Sequence, residues 1–146
     1  MSNQQETQFQ TSKIKSILPL QVVLHYDFIC GFIYMLVQVV TMIVKLLIFY
    51  GDPLQLWLEF FGICIFYPIV HLVRIRTGQK GNRYEKVFSM FLFLLFSLIM
   101  AAWHVYLSFF QFIALRFETV INCIMIIFIL VEFVIGFYAF LKFCCQ

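Results

Sequence analysis

The chain has 146 residues, of which 64% are hydrophobic and 12% charged, whereas ordinary globular domains are about half apolar and about a quarter charged. A water-soluble domain of this length buries only about two-thirds of its unfolded surface, so twenty Phe with the accompanying Ile, Leu and Val cannot all be hidden from water. The formal net charge is a modest +3; a soluble domain is excluded, lipid is the expected surroundings, and no nucleic-acid partner is expected.

In chain order, residues 1–13 are polar and Gln-rich and read as a disordered cytosolic tail. They lack the charged segment, short apolar core and small-residue cleavage site of a signal peptide. Residues 14–27, within "KIKSILPLQVVLHYDF", mix apolar residues with Pro19, Gln21, His25 and Asp27. They are either an amphipathic segment lying in the interface or the start of one long tilted helix.

A bilayer core of about 30 Å needs roughly 20 mostly apolar helical residues. Four segments reach that length: about 28–50, 54–73, 87–110 and 119–141, with 142–146 as a cytosolic end. Lipid leaves no water to satisfy the backbone, and the runs are too long for barrel strands. The predicted fold class is therefore all-α, a polytopic membrane protein with four transmembrane helices in an antiparallel bundle. Gly51, Asp52 and Pro53 predict a tight turn between the first two spans.

Half of all Lys and Arg fall in "RIRTGQKGNRYEK": Arg74, Arg76, Lys80, Arg83 and Lys86. With Lys13, Lys15 and Lys142 they share one side of a four-span protein, against Lys45 and Arg116 on the other. The positive-inside rule then predicts both termini and this loop to be cytoplasmic. The five basic residues are expected to meet lipid headgroups or cytosolic partners, with Arg74 holding a phosphate or the terminal carbonyls of its helix. Gly78, Gly81 and Asn82 are expected to shape a compact turn with positive backbone dihedrals.

A charge inside the bilayer costs from about 3 to over 10 kcal/mol, so each needs a partner or a wet cavity. Lys45, Glu59 and His104 all fall roughly 8 to 9 Å from the same surface. Lys45 and Glu59 lie symmetrically about the Gly-Asp-Pro turn, which predicts an ion pair that either fixes helix register or, with His104, forms a polar pocket. Gln38 and Glu132 fall deeper, at roughly 18 to 20 Å, which predicts a hydrogen bond from a protonated Glu132 to Gln38. Ser97, Ala101, His104 and Ser108 form one small and polar stripe, and Glu132, Gly136 and Ala139 another.

The five cysteines include no Cys-x-x-Cys pair, and Cys144 with Cys145 reads either as an acylation site or as two thiols on a frayed end. His25, His71 and His104 lie in different helices, and no nucleophile elbow or phosphate loop occurs. Neither an active site nor a metal or other cofactor is expected.

The spacing in "LVRIRTGQKGN", with "LPLQVVLHYDFICGFIYMLVQ" ahead of Lys45 and "ALRFETVINCIMIIFILVEF" opening the last span, resembles the transmembrane protein 17 family over about Leu18 to Phe140. The family pattern falls on Lys45, Arg74, Gly78, Lys80, Gly81, Asn82, Arg116 and Glu118; where members tend to carry Glu three residues before the Arg, this chain has His71. The resemblance implies a non-enzymatic four-span subunit of the ciliary transition-zone complex. The implied partners are membrane lipids, tectonic-like and other multi-span membrane proteins, and cytosolic C2-domain or coiled-coil proteins. The alternative reading is a small proton-coupled transporter or channel using Glu132, Glu59 and His104.

Overall fold

The computed structural model describes residues 16–48, 53–111 and 115–145; the tail at 1–13, Lys15 after it, and the turn residues Gly51 and Asp52 lie outside these. Helix α1 runs Leu18–Ile48, with Pro19 in its first turn, where a missing N–H removes no intrahelical bond. At 31 residues it is about 46 Å long, more than a hydrocarbon core requires. It passes through Asp27 without a break, so residues 18–27 are continuous with the rest of the helix. Asp27 fits there because it lies on the inward face of the helix and is fully buried.

The second span begins with α2, Pro53–Phe61, passes through a π-helical turn, Gly62–Phe66, and continues as α3, Tyr67–Tyr84. The wide turn sits immediately before Pro68, which has no N–H for the normal ladder. There the Tyr67 N–H reaches back to the Gly62 carbonyl, five residues earlier.

Beyond this point the structure departs from the expected loop. Residues Arg74 to Tyr84 are helical, and the connection to the third span shrinks to Glu85 and Lys86. Glu85 alone among the described residues other than glycine has positive φ, at 53°, and no described glycine has it. Gly78 and Gly81 therefore serve close packing. A Cβ at Gly78 would lie 2.8 Å from Phe93 Cδ2, and one at Gly81 2.9 Å from the backbone nitrogen of Met90. Asn82 is also no turn residue. It is buried, its Oδ1 accepts the Ile17 N–H and its Nδ2 donates to the Ile17 carbonyl, both at 2.9 Å.

That amide holds the backbone just before α1 against the end of α3. Asn82→Ala is expected to cost about 1–3 kcal/mol by orphaning buried backbone groups. The check is faster amide hydrogen exchange confined to the first turns of α1.

The third span is α4, Val87–Val105, closing in a second π turn, Tyr106–Phe110; the fourth is α5, Arg116–Cys144. All four spans are long and apolar enough to cross a membrane. Helix α3 packs on α4, α4 on α5, and α1 closes the ring against α3 and α5. Buried positions on α5 recur at spacings of four and three, from Glu118 through Asn122, Met125, Ile129, Glu132, Gly136 and Ala139 to Phe143. Helix α1 repeats the rhythm through Asp27, Gly31, Tyr34, Gln38 and Lys45. This is the seam of antiparallel helices that stay in contact over their length. Outward faces carry exposed Phe32, Leu47, Ile127 and Val134, as a lipid-facing surface would.

A buried charge core as candidate functional site

The inward seams of these spans carry an unusual load for a membrane interior. Asp27, Gln38, Lys45, Glu59, His71, Arg74, His104, Glu118, Asn122 and Glu132 are all buried. They sort into two ionic clusters with a neutral polar layer alongside.

In the first cluster Arg74, fully enclosed, reaches from α3 to two other helices. Its Nη1 donates to Glu132 Oε2 on α5 at 2.8 Å, and its Nη2 donates to Asp27 Oδ2 on α1. His71, one turn earlier on α3, stacks on Tyr67 at 5.4 Å, with its Nδ1 3.9 Å from Asp27 Oδ2. Gly31 makes room for that imidazole, since a Cβ there would run into the ring.

The second cluster is built on Lys45 of α1. Its Nζ lies 2.7 Å from Glu118 Oε2 on α5 and 3.5 Å from Glu59 Oε2 on α2. Gln111 Nε2 donates to the same Glu59 oxygen at 3.2 Å. The neutral layer centres on Asn122, whose Oδ1 accepts from Tyr34 Oη at 2.6 Å while its Nδ2 donates to the Glu118 carbonyl at 2.9 Å. His104 Nδ1 is 3.0 Å from the same Oδ1. An acceptor at that distance fixes His104 as the Nδ1–H tautomer.

Several expectations change on this geometry. Arg74 binds neither headgroup nor helix carbonyls: it opens the predicted loop, but the helix runs on through it to Tyr84, and two carboxyl groups and its own burial make it an internal cross-link. Glu132 pairs with Arg74 and not with Gln38, whose amide is buried without a hydrogen-bond partner among the described residues. A cation at Arg74 outcompetes a neutral amide for the carboxylate. Lys45 and Glu59 do face each other, but Glu118 is the nearer partner, and His104 joins Asn122 instead of them.

Ser97 and Ser108 point inward and satisfy their hydroxyls on the Phe93 and His104 carbonyls of their own helix, both at 2.8 Å. Arg76, Lys80, Arg83 and Lys86 are exposed. The first three recur at spacings of four and three and so line one face of α3, with Arg83 and Lys86 each 6.0 Å from the Tyr84 ring. Cys144 and Cys145 are exposed at the end of α5. Among the described residues no group of His, Cys, Asp and Glu is placed to hold a metal ion.

Asp27 and Asn122 were missed as site residues, and Glu118 was reached only through the family resemblance. The signal was present in the sequence, because each lies on the four-and-three repeat that also contains Lys45 or Glu132. Hydropathy sees only a polar interruption, whereas the repeat assigns it to the inner face.

The fold and its interior define a polytopic helical membrane protein with a buried charge core. A family profile, Transmemb_17, described as a predicted membrane protein, matches residues 22–129, more than half of the chain. The chain belongs to that family, the transmembrane protein 17 family. Comparison with curated proteins and with solved structures finds no match.

Proposed function

We propose that the chain is a non-enzymatic assembly subunit of the ciliary transition-zone membrane, part of a tectonic-like complex that supports cilium assembly and gates entry of membrane proteins. Family membership supplies the context, through what the resemblance to transition-zone proteins implies. The observation that carries the reading is how charge is divided. Among the described residues each buried ionic group is paired with another helix of the same bundle, while Arg76, Lys80, Arg83 and Lys86 stand exposed on the last turns of α3 and the end of the short link.

An interior whose charges pair with one another across helices, with a basic rim, suits a component that others dock against. In this reading both termini and the basic face are cytoplasmic, by the excess of Lys and Arg on that side. The face meets anionic headgroups and the C2-domain or coiled-coil neighbours. Cys144 and Cys145, exposed at the same end, are the acylation candidates.

Replacing Arg76, Lys80 and Arg83 together by Ala is expected to leave unfolding unchanged and to weaken cytosolic contacts with acidic lipid by about 1 kcal/mol per residue. Binding of the purified protein, in nanodiscs, to anionic vesicles measures the loss. Proximity labelling in ciliated cells tests the function itself. Enrichment of transition-zone membrane proteins is the expected result, and an endoplasmic reticulum or mitochondrial neighbourhood would overturn it.

A further inference from the structure

The Arg74 cluster does not balance. One guanidinium faces two carboxyl groups, and Arg74, Asp27 and Glu132 all have 0% exposure. Each carboxyl gives one oxygen to the guanidinium. The other oxygens, Asp27 Oδ1 and Glu132 Oε1, are buried with no hydrogen-bond partner among the described residues. A carboxylate oxygen is acceptor-only, and buried acceptors are normally paired.

Among the described residues no neighbouring helix supplies the missing positive charge. The groups in electrostatic reach of the cluster are Cys30 on α1, Tyr67 and His71 on α3, and His104 on α4. His104 is engaged with Asn122, and Ser97 donates to its own helix. His71 lies beyond hydrogen-bond distance of Asp27, stacked on Tyr67. Among the described residues its two ring nitrogens are buried without a hydrogen-bond partner, surroundings suited to neutral imidazole. Lys45 is committed to two carboxylates of its own. With both acids ionised the cluster would hold an uncompensated negative charge inside a span, a costly arrangement.

We propose that the Asp27–Glu132 pair is a proton-binding site: the folded bundle takes one proton from solution and holds it on these two carboxyls, so Arg74 faces one carboxylate and one carboxylic acid. Two carboxyls sharing a site share a proton because both cannot ionise together. The bound O–H also gives one of the orphaned oxygens the ability to donate. Enclosure of all three side chains makes this a held proton, part of how the bundle stays together.

Infrared spectroscopy of the full chain in vesicles of neutral lipid, compared in ordinary and heavy water at neutral pH, tests the site. The wild type is expected to show the deuterium-sensitive carbonyl stretch of a protonated carboxylic acid. Glu132→Gln and Asp27→Asn are each expected to lose that component, since either amide leaves Arg74 with one carboxylate to balance it. Persistence of the full band in both variants, or no such band in the wild type, would overturn the proposal.

An unfolding series against pH gives an independent readout on the wild type. The proton is held by the folded state, so stability is present at lower pH and lost as pH rises through its release. Each amide variant should lack that component; a profile shared by wild type and variants would count against the site.

Discussion

Arg74→Leu is expected to lower the unfolding free energy of the bundle by about 3–5 kcal/mol, the cost of leaving buried charge without its partner. The substitution removes both bonds by which α3 holds α1 and α5, and it leaves Asp27 and Glu132 facing each other across an apolar side chain. Arg74→Lys is expected to recover only part of the loss. An ammonium is a point charge, whereas the guanidinium presents separate nitrogens to two carboxyl groups at once.

The cause can be isolated by replacing the whole cluster. A variant carrying Arg74→Met, Asp27→Leu and Glu132→Leu is expected to regain much of the stability, because desolvating the cluster's charges is itself expensive. Thermal or denaturant unfolding in a fixed detergent measures all three variants. A triple variant as unstable as Arg74→Leu would show that shape, and not charge, sets the requirement.

The second large effect is expected at Lys45→Met, at about 3 kcal/mol by the same argument. Lys45 separates Glu59 and Glu118, and without it two carboxyl groups from α2 and α5 are left with neutral donors, Gln111 and the Leu115 backbone N–H among them. The effect is local to the opposite end of the bundle from Asn82. Hydrogen exchange should therefore rise in α2 and in the first turns of α5, while the packing of Leu20, Leu24, Met90 and Phe93 stays protected. Adding Glu118→Gln to Lys45→Met should restore part of the stability, since one uncompensated charge is then removed.

Fold class and the four spans were legible because hydropathy and length are local properties of the chain. Helix lengths were legible only in part. Arg74 reads as the end of a span when hydropathy alone is followed, yet the structure runs the helix ten residues further, to Tyr84. Gly78 and Gly81 looked like turn formers because glycine permits positive φ. Which use glycine serves depends on what lies opposite, and here Phe93 and Met90 of α4 lie within a side chain's width.

The level of Lys45 and Glu59 follows from counting outward from the Gly-Asp-Pro turn, since the two flank it closely in sequence. Contacts between α3 and α5, or α1 and α5, have no such local ruler. Glu132 was assigned to Gln38 on depth alone, and depth cannot choose among side chains at one level. The positions on which the resemblance rests turn out to divide by place in the fold. Lys45, Arg74, Gly78, Gly81, Asn82 and Glu118 are interior, while Lys80 and Arg116 are exposed.

A double-mutant cycle on Arg74 and Glu132, read by unfolding in lipid, tests most directly whether the interior charges hold the bundle together. The account predicts that Arg74→Leu and Glu132→Leu together cost much less than the sum of the single substitutions, with a coupling of about 2–3 kcal/mol. Additive losses, or Arg74→Leu at wild-type stability, would contradict it.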